Sequence, residues 1–308
     1  MKKIILQDLR RNGKEKPWAE HKTSNESLAL AYDEINFRKA ERLKNCANKL
    51  SFAVTPEGLK LRGAEFCRVR LCPMCTWRRS LKVAAQMTKI MAAIKEDKPM
   101  AYILITLTVR NCEPEELGET LDLITTKFKN LTKTKAYMQV SHGYYRAIEV
   151  THNLEEDTYH PHIHAIFAVD EEYFRTKKYI DQMGWTVLWR KVLHFNYNPF
   201  VYVQRVRGNT AKAVAEVAKY SVKSKDYIIP DDWKMTVKSV KLLDDVLNGR
   251  RFVGLGGVFK EYHKKLKLDD IENGDLVHVE GEEKVAEDER VIHFAWFSGY
   301  RQYRRNDE

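Results

Sequence analysis

Three histidines stand within five positions of a 308-residue chain that has only ten. They are His160, His162 and His164 in "DTYHPHIHAIFAVD", residues 157–170. The segment runs into an apolar, β-branched stretch and reads as a strand, in which alternate side chains share a face. His162 and His164 therefore point the same way, with Ile163 turned to the opposite side. Two imidazoles so placed can share one metal ion. His160 has the same parity, but Pro161 is expected to bend the chain away. The preceding strand carries Glu149 between Ile148 and Val150. Antiparallel pairing of the two strands would bring its carboxylate to the imidazoles and complete a two-histidine, one-carboxylate site with open coordination positions. Such mixed nitrogen and oxygen ligands suit Mn²⁺ or Mg²⁺ bound to phosphate oxygens, with zinc also suitable. The blander reading is a row of polar histidines on a solvated strand face.

A nucleophile is offered by "NTAKAVAEVAKYSVKS", residues 209–224. Its spacing predicts a helix with Asn209 or Thr210 as cap. Val214, Val217, Ala218 and Ser221 fall on one side, and Lys212, Glu216, Lys219, Tyr220 and Lys223 on the other. Glu216 and Tyr220 are neighbours one turn apart. A tyrosine oxygen can bond covalently to phosphorus, and nearby cations such as Lys219, Lys223 and a metal make its phenolate easier to form. Glu216 could act as base for that phenol or for water. Against this stand fifteen tyrosines in the chain, most of which pack, and the fact that Lys/Glu faces of helices are commonly solvated.

Four of the five cysteines cluster in sequence. Cys72-Pro-Met-Cys75 is a C-x₂-C knuckle; four residues separate Cys67 from Cys72, and twenty separate Cys46 from Cys67. Four thiolates with one tight pair match a closed structural zinc site. Arg68, Arg70, Arg78, Arg79 and Trp77 would surround that rigid loop with phosphate-binding groups. Cys112 stands apart and reads as a small packing residue.

The elements that would position these groups follow from periodicity. Residues 1–26 read as a polar arm, 27–49 as a helix opening at Ser27, and 81–96 as a second helix. Residues 101–111 are β-branched and apolar, hence a strand. Pro114 opens a helix whose Leu117, Leu121, Ile124, Phe128 and Leu131 form one stripe. Strands 144–153 and 162–169 are joined by an acidic loop. A helix over 175–192, the strand 201–206 and the helix 209–224 follow. Paired strands between helices argue for an α+β domain built on a mostly antiparallel sheet. The remainder holds one more helix, a "GLGG" turn (254–257), an acidic linker and the aromatic segment "VIHFAWFSGY". "GLGG" is too short and too badly placed to be a nucleotide-binding loop. The expected parts are an N-terminal arm with the cysteine cluster and a helix (1–97), a catalytic domain (98–230) and a C-terminal extension that binds DNA or a partner (231–308).

Composition narrows the class. Of the residues, 44% are hydrophobic, which suits a globular chain, and the net charge is +10. Residues 269–289 hold ten acids and one lysine, so the rest carries a net +19. Such a balance favours a polyanionic partner. No apolar run is long enough to span a bilayer and the N-terminal apolar stretch is too short for a secretory signal, so a cytoplasmic protein is expected.

In order, "ILITLTVRN", "YYRAIEVTHN…DTYHPHIHAIFAV" and "EVAKYSVK" resemble the three motifs of the HUH endonucleases. The match is nearest to the replication initiators of rolling-circle plasmids from Gram-positive bacteria, which the upstream "FCRVRLCPMCTWRRS" also resembles. The resemblance covers about residues 40–260. It implies a five-stranded antiparallel sheet with flanking helices. It implies that His162 and His164 bind a divalent metal and that Tyr220 attacks a phosphate in single-stranded origin DNA. The implied product is a 5′-phosphotyrosine link with a free 3′-hydroxyl that primes synthesis. Glu216 matches a glutamate linked in that family to the terminating cleavage. Relatives that transfer strands twice carry a second tyrosine one turn from the first, where this chain has Glu216. The order, histidines before tyrosine, is shared with single-tyrosine transposases, which are usually shorter and lack the cysteine cluster. The same residues would also suit a non-catalytic zinc-dependent DNA-binding regulator, or a metal-dependent hydrolase that forms no covalent intermediate. Single- and double-stranded origin DNA and a host helicase are the expected partners, with basic segments 38–82 and 231–265 as candidate duplex readers. No membrane partner is expected, and the oligomeric state is left open.

Overall fold

A computed structural model describes residues 4–10, 12–207, 211–218, 222–279 and 290–306, the side chains of residues 211 and 212 excepted. Along the chain come helices α1 (Trp18–Ile35) and α2 (Phe37–Asn45), strands β1 (Lys49–Thr55) and β2 (Gly58–Ala64), helix α3 (Pro73–Asp97) and strand β3 (Met100–Thr108). Then follow α4 (Leu117–Leu131), α5 (Lys135–Met138), β4 (Ser141–Asn153), β5 (Thr158–Asp170), α6 (Gln182–Leu193), β6 (Val201–Val206) and α7 (Ala211–Val217). The described chain closes with α8 (Trp233–Leu247), β7 (Val253–Gly257), α9 (Val258–Lys265), β8 (Val291–Phe297) and β9 (Gln302–Arg305). It is a mixed α/β chain with two antiparallel sheets. None of the described helices is long and apolar enough to cross a membrane.

Two compact units interleave in sequence. The first takes residues 1–82, 227–248 and 273–308; the second takes 83–226 and 249–272. The boundary falls inside α3, whose residues up to Lys82 belong to the first.

The first unit holds a sheet in the order β2-β1-β8-β9. Strand β8, the aromatic segment of the sequence, pairs with β1 from Lys49↔Ala295 to Ala53↔Val291. Residues 4–6 run along β9 through Leu6 N–H to Tyr303 O (2.9 Å) and Arg305 N–H to Ile4 O (2.8 Å). The helix expected over 27–49 is instead two. The first starts at Trp18, well inside the expected arm, and the chain turns at Asn36, whose side chain accepts the Lys39 N–H and so caps the second. What remains of 27–49 ends in β1, because Leu50, Phe52 and Ala53 must enter the core of this unit.

The second unit is built on a five-stranded sheet in the order β6-β3-β5-β4-β7, antiparallel throughout. Central β3 and β5 are apolar because helices cover both faces. On one face Leu104, Tyr145, Ile166 and Ala168 pack with Met87, Ile90 and Ile94 of α3, Val214 and Val217 of α7, and Phe259 of α9. The opposite face takes the α4 stripe and Trp185 and Trp189 of α6; Phe128 lies edge-on to Tyr144 at 5.0 Å. The helix expected over 175–192 is shorter: a 3₁₀ turn at Tyr173–Arg175 precedes α6, which starts only at Gln182, where Asp181 accepts the Gly184 N–H as cap.

Candidate functional site

Register creates the first cluster. β4 pairs with β5 so that Glu149 lies opposite His162 and Ala147 opposite His164; on the other side β3 sets Thr106 opposite His164 and Thr108 opposite His162. Strand alternation then turns Glu149, His162 and His164 to one face. They are 3%, 8% and 6% exposed, which overturns the reading of a solvated row. Their ligand atoms lie within 4.8 Å of one another. His164 Nε2 is 3.0 Å, and His162 Nε2 3.4 Å, from Glu149 Oε2. Neighbouring ligands on an octahedral ion with bonds of about 2.1 Å stand about 3.0 Å apart, so this donor set fits a divalent cation with little movement. β5 continues straight through Pro161, so the expected bend is absent: Val150↔Pro161 and Thr151↔His160 remain in register. The His160 ring lies 5.1 Å from that of His162, and the His160 carbonyl is 3.1 Å from His162 Nδ1, orienting that ring.

Two further side chains reach the cluster from the segment that follows β6. Lys223 Nζ is 2.7 Å from Glu149 Oε1, and Glu216 Oε1 is 3.9 Å from His164 Nδ1. Burial raises the Glu149 carboxyl, but bonds from His162, His164 and Lys223 outweigh it and hold the group far below the usual carboxylate range. Burial lowers the Lys223 ammonium, but its bond to Glu149 together with the charges of Glu149, Asp226 and Glu216 outweighs burial and raises it. Helix α7 packs through Val214 and Val217, with Ala218 buried just beyond its end, as the sequence periodicity requires. Tyr220 and Lys219 lie outside the described residues, as do Asn209, Thr210 and Ser221.

Sequence reasoning missed Thr106, whose hydroxyl is 3.1 Å from His164 Nδ1 and fixes that imidazole from behind. It also missed a cavity of about 320 Å³ that opens beside Thr106 and Glu216 and is lined by Tyr202, Gln204 and Arg207; the Arg205 guanidinium lies instead over the Phe174 ring at 4.3 Å, on the other face of β6. Arg207 was visible in "VYVQRVRG", but only the β3–β6 register of Thr106↔Tyr202 brings that strand to the histidines.

The second cluster is in the first unit. Cys46, Cys67, Cys72 and Cys75 are buried and their sulfurs meet. The Sγ–Sγ distances are 3.6 Å (46–72), 3.8 Å (46–75) and 3.7 Å (67–75). Tetrahedral zinc with Zn–S bonds of about 2.3 Å holds its sulfurs about 3.8 Å apart, so the four thiols fit that ion. Backbone N–H groups of Cys67 and Arg68 donate to the sulfurs of Cys46 and Cys75 at 3.4 and 3.2 Å. Bonding to Cys46 pushes the Cys67 thiol up and burial pushes that of Cys72 up, whereas for Cys75 burial is outweighed by its three sulfur neighbours and Arg79, which drive it down. Lys22 is fully buried alongside, donating to the carbonyls of Lys44 (3.0 Å) and Cys46 (2.8 Å). Its positive charge offsets part of the charge that four thiolates bring to a dication. Cys112 is buried in the second unit, in a bridge with Tyr159.

The arginines divide. Arg78 is buried, and its Nε and Nη2 donate to Leu276 O (2.9 Å) and Val277 O (2.7 Å), so it clamps the chain instead of presenting an open fork to phosphate. Arg68 is exposed but also donates to Asn273 O and Gly274 O. Arg70 and Arg79 are partly exposed beside the knuckle.

Residues 58–304 match the replication protein family. Curated relatives carry the name "Protein rep". One from Bacillus amyloliquefaciens is 38% identical, with 97% of this chain and 96% of the relative covered. Another from Lactiplantibacillus plantarum is 38% identical with 92% of each chain covered. A third, from Streptococcus pneumoniae serotype 2, is 37% identical over 89% of this chain and 87% of the relative. No solved structure matches the chain.

Proposed function

The chain belongs to the replication protein (Rep) family, and from that premise we propose that it starts rolling-circle replication of a plasmid by nicking one strand at the origin through Tyr220. The observation that carries this reading is the meeting of Glu149, His162 and His164 with Glu216 and Lys223, residues on either side of Tyr220 in sequence. The sheet is of the kind expected of an HUH endonuclease, and that assignment is part of the proposal.

Glu149, His162 and His164 would hold Mn²⁺ or Mg²⁺. When bound, such an ion polarises a phosphoryl oxygen and offsets the charge that grows there during displacement. The chain's own residues do the rest. The Tyr220 phenol gives up its proton and its oxygen bonds to phosphorus. The bond to the 3′ oxygen breaks, and that oxygen takes a proton to become the primer hydroxyl. Lys223 and Lys219 favour the phenolate electrostatically. Glu216 removes a proton from water in the terminating cleavage. Thr106 and the His160 carbonyl keep the imidazoles oriented. Arg207, in the adjoining cavity, binds the strand's phosphates.

The same reading assigns structural Zn²⁺ to Cys46, Cys67, Cys72 and Cys75, DNA contacts to Arg68, Arg70 and Arg79, and a cytoplasmic site of action. The functional division into 1–97, 98–230 and 231–308, duplex recognition by 38–82 or 231–265, and recruitment of a host helicase belong to it as well. The test uses purified full-length protein, Mn²⁺ and a single-stranded origin oligonucleotide. A denaturation-resistant protein–DNA adduct is expected, and His162→Ala with His164→Ala should lose it while still binding DNA. Adduct formation undiminished in that double variant would exclude the assigned centre; binding with no adduct in any protein would favour a non-catalytic regulator.

A further inference from the structure

On the face of β4 that points away from the histidines, the second unit has a cavity of about 630 Å³ lined with cations. That size is within the roughly 300–1,000 Å³ of small-molecule and nucleotide sites. Arg146 lies in its wall. Its side chain is only 6% exposed, yet among the described residues its guanidinium makes a single hydrogen bond, a long one of 3.4 Å to Phe252 O. A guanidinium has five N–H groups to satisfy; none of the Arg146 nitrogens is sealed off without a partner, so the groups that no protein acceptor takes are open to the cavity that Arg146 lines. Arg146 sits 5.9 Å from the Phe128 ring, which supplies no acceptor atom. The unfilled donors ask for an anion.

The buried Glu272 carboxylate, which accepts the Phe252 and Val253 N–H groups, partly balances Arg146, but the surroundings as a whole supply more positive charge than negative. Lys260 and Lys264 of α9 are exposed at the rim. Arg250 and Arg251 also line the cavity and are held by Asp122 (3.0 Å) and Asp270 (2.9 Å), which fixes their direction. Tyr144, two residues before Arg146 on the same face, adds an aromatic surface. The "GLGG" segment, which is no phosphate loop, explains why the space exists. It forms edge strand β7, with Gly256 opposite Tyr144 and Gly254 opposite Arg146. A Cβ on Gly254 would come within 3.1 Å of Arg146 Nε, and one on Gly256 would collide with the Tyr144 ring. Glycine inside a strand marks a place where another group approaches closely; here the strand is bare where an aromatic ring and a guanidinium need room.

We infer that this cavity binds the phosphate of a nucleotide on the Arg146 fork, with the Tyr144 ring against the attached sugar or base. A phosphate matches the planar guanidinium in two parallel bonds, and an aromatic face beside a cationic groove is how single strands are held without regard to sequence. The phosphate's source is an internal linkage of a DNA strand or a free nucleotide. The site does not depend on the tyrosine chemistry, since it lies on the other face of the sheet and its binding is read without cleavage.

Titrate full-length protein, with no divalent ion added, against deoxythymidine monophosphate and against a short oligothymidine lacking terminal phosphates. Arg146→Gln should weaken each probe that the site holds by about 10- to 100-fold, the loss expected for a charged hydrogen bond. The double variant Lys260→Glu, Lys264→Glu should weaken it severalfold and lower the salt slope for the oligonucleotide by about two. Effects on both probes identify the DNA backbone as the source; an effect on the mononucleotide alone identifies a free nucleotide. If Arg146→Gln does not fold, the exposed double variant decides alone. Folded variants that bind both probes like the parent would overturn the inference.

Discussion

Replacing Cys72 with serine is expected to empty the four-sulfur site and melt the unit around it. Cys72 is fully buried, and the other three sulfurs lie close enough to it to share one ion. No water has access to replace the lost ligand. Structural zinc in small sites contributes about 10–16 kcal/mol of apparent binding free energy, comparable with the roughly 5–15 kcal/mol that holds a whole domain folded. If serine removes only about half of the lower figure, near 5 kcal/mol, Tm falls by about 10–20 °C at about 2–4 °C per kcal/mol. The assay pairs elemental analysis with a thermal melt. Parent protein should contain one zinc per chain, lose it and its upper transition together in a strong chelator, and regain both when zinc is returned. Cys112→Ser, which alters a cysteine outside the cluster, should keep the zinc. Parent protein that carries no metal and melts at the same temperature with or without chelator would refute the four-thiolate assignment.

Other outcomes follow from the same geometry. Thr106→Val should lower divalent-ion affinity, read by calorimetry, by about 10- to 100-fold with Tm little changed, because it frees the His164 ring without removing a ligand. Glu216→Gln should still form the covalent adduct but release it slowly, by about 100-fold or more, in a termination assay. His21, stacked on Trp77 at 5.1 Å, has its pKa lowered from 6.5 to about 4 by burial first and Arg10 second. A depressed histidine is neutral in the folded state, so the unfolded chain binds the proton first. Stability should therefore fall as pH drops from about 6.5 to about 4, by up to about 3 kcal/mol, and His21→Gln should remove that component in denaturant melts at several pH values.

Much of the second unit is legible in the sequence because its signals are local. The apolar stripe of α4, the β-branched run of β3 and the alternation through β5 each require one structure. Glu149 can be paired with His162 because a short loop joins the two strands and leaves only the register to settle. The first unit is harder. Its sheet joins β1 to β8 across some 240 residues of sequence, and nothing in "KLSFAVT" names its partner. The break at Asn36 is hidden because helical residues continue on both sides of it. Thr106 and Arg207 gain meaning only from the pairing of β3 with β5 and β6. Arg78 cannot be told from its neighbours in the sequence, since the carbonyls that engage it lie about 200 residues away. The "GLGG" stretch lacks the length of a phosphate loop, yet its glycines are required by the side chains of the strand beside it.

The central claim is tested most directly by mass spectrometry of the DNA-bearing peptide left after protease digestion of the Mn²⁺-dependent adduct. A mass shift on Tyr220, carried as a 5′-phosphate linkage, is predicted. The same label on another residue, or cleaved DNA with no labelled peptide at all, would contradict it.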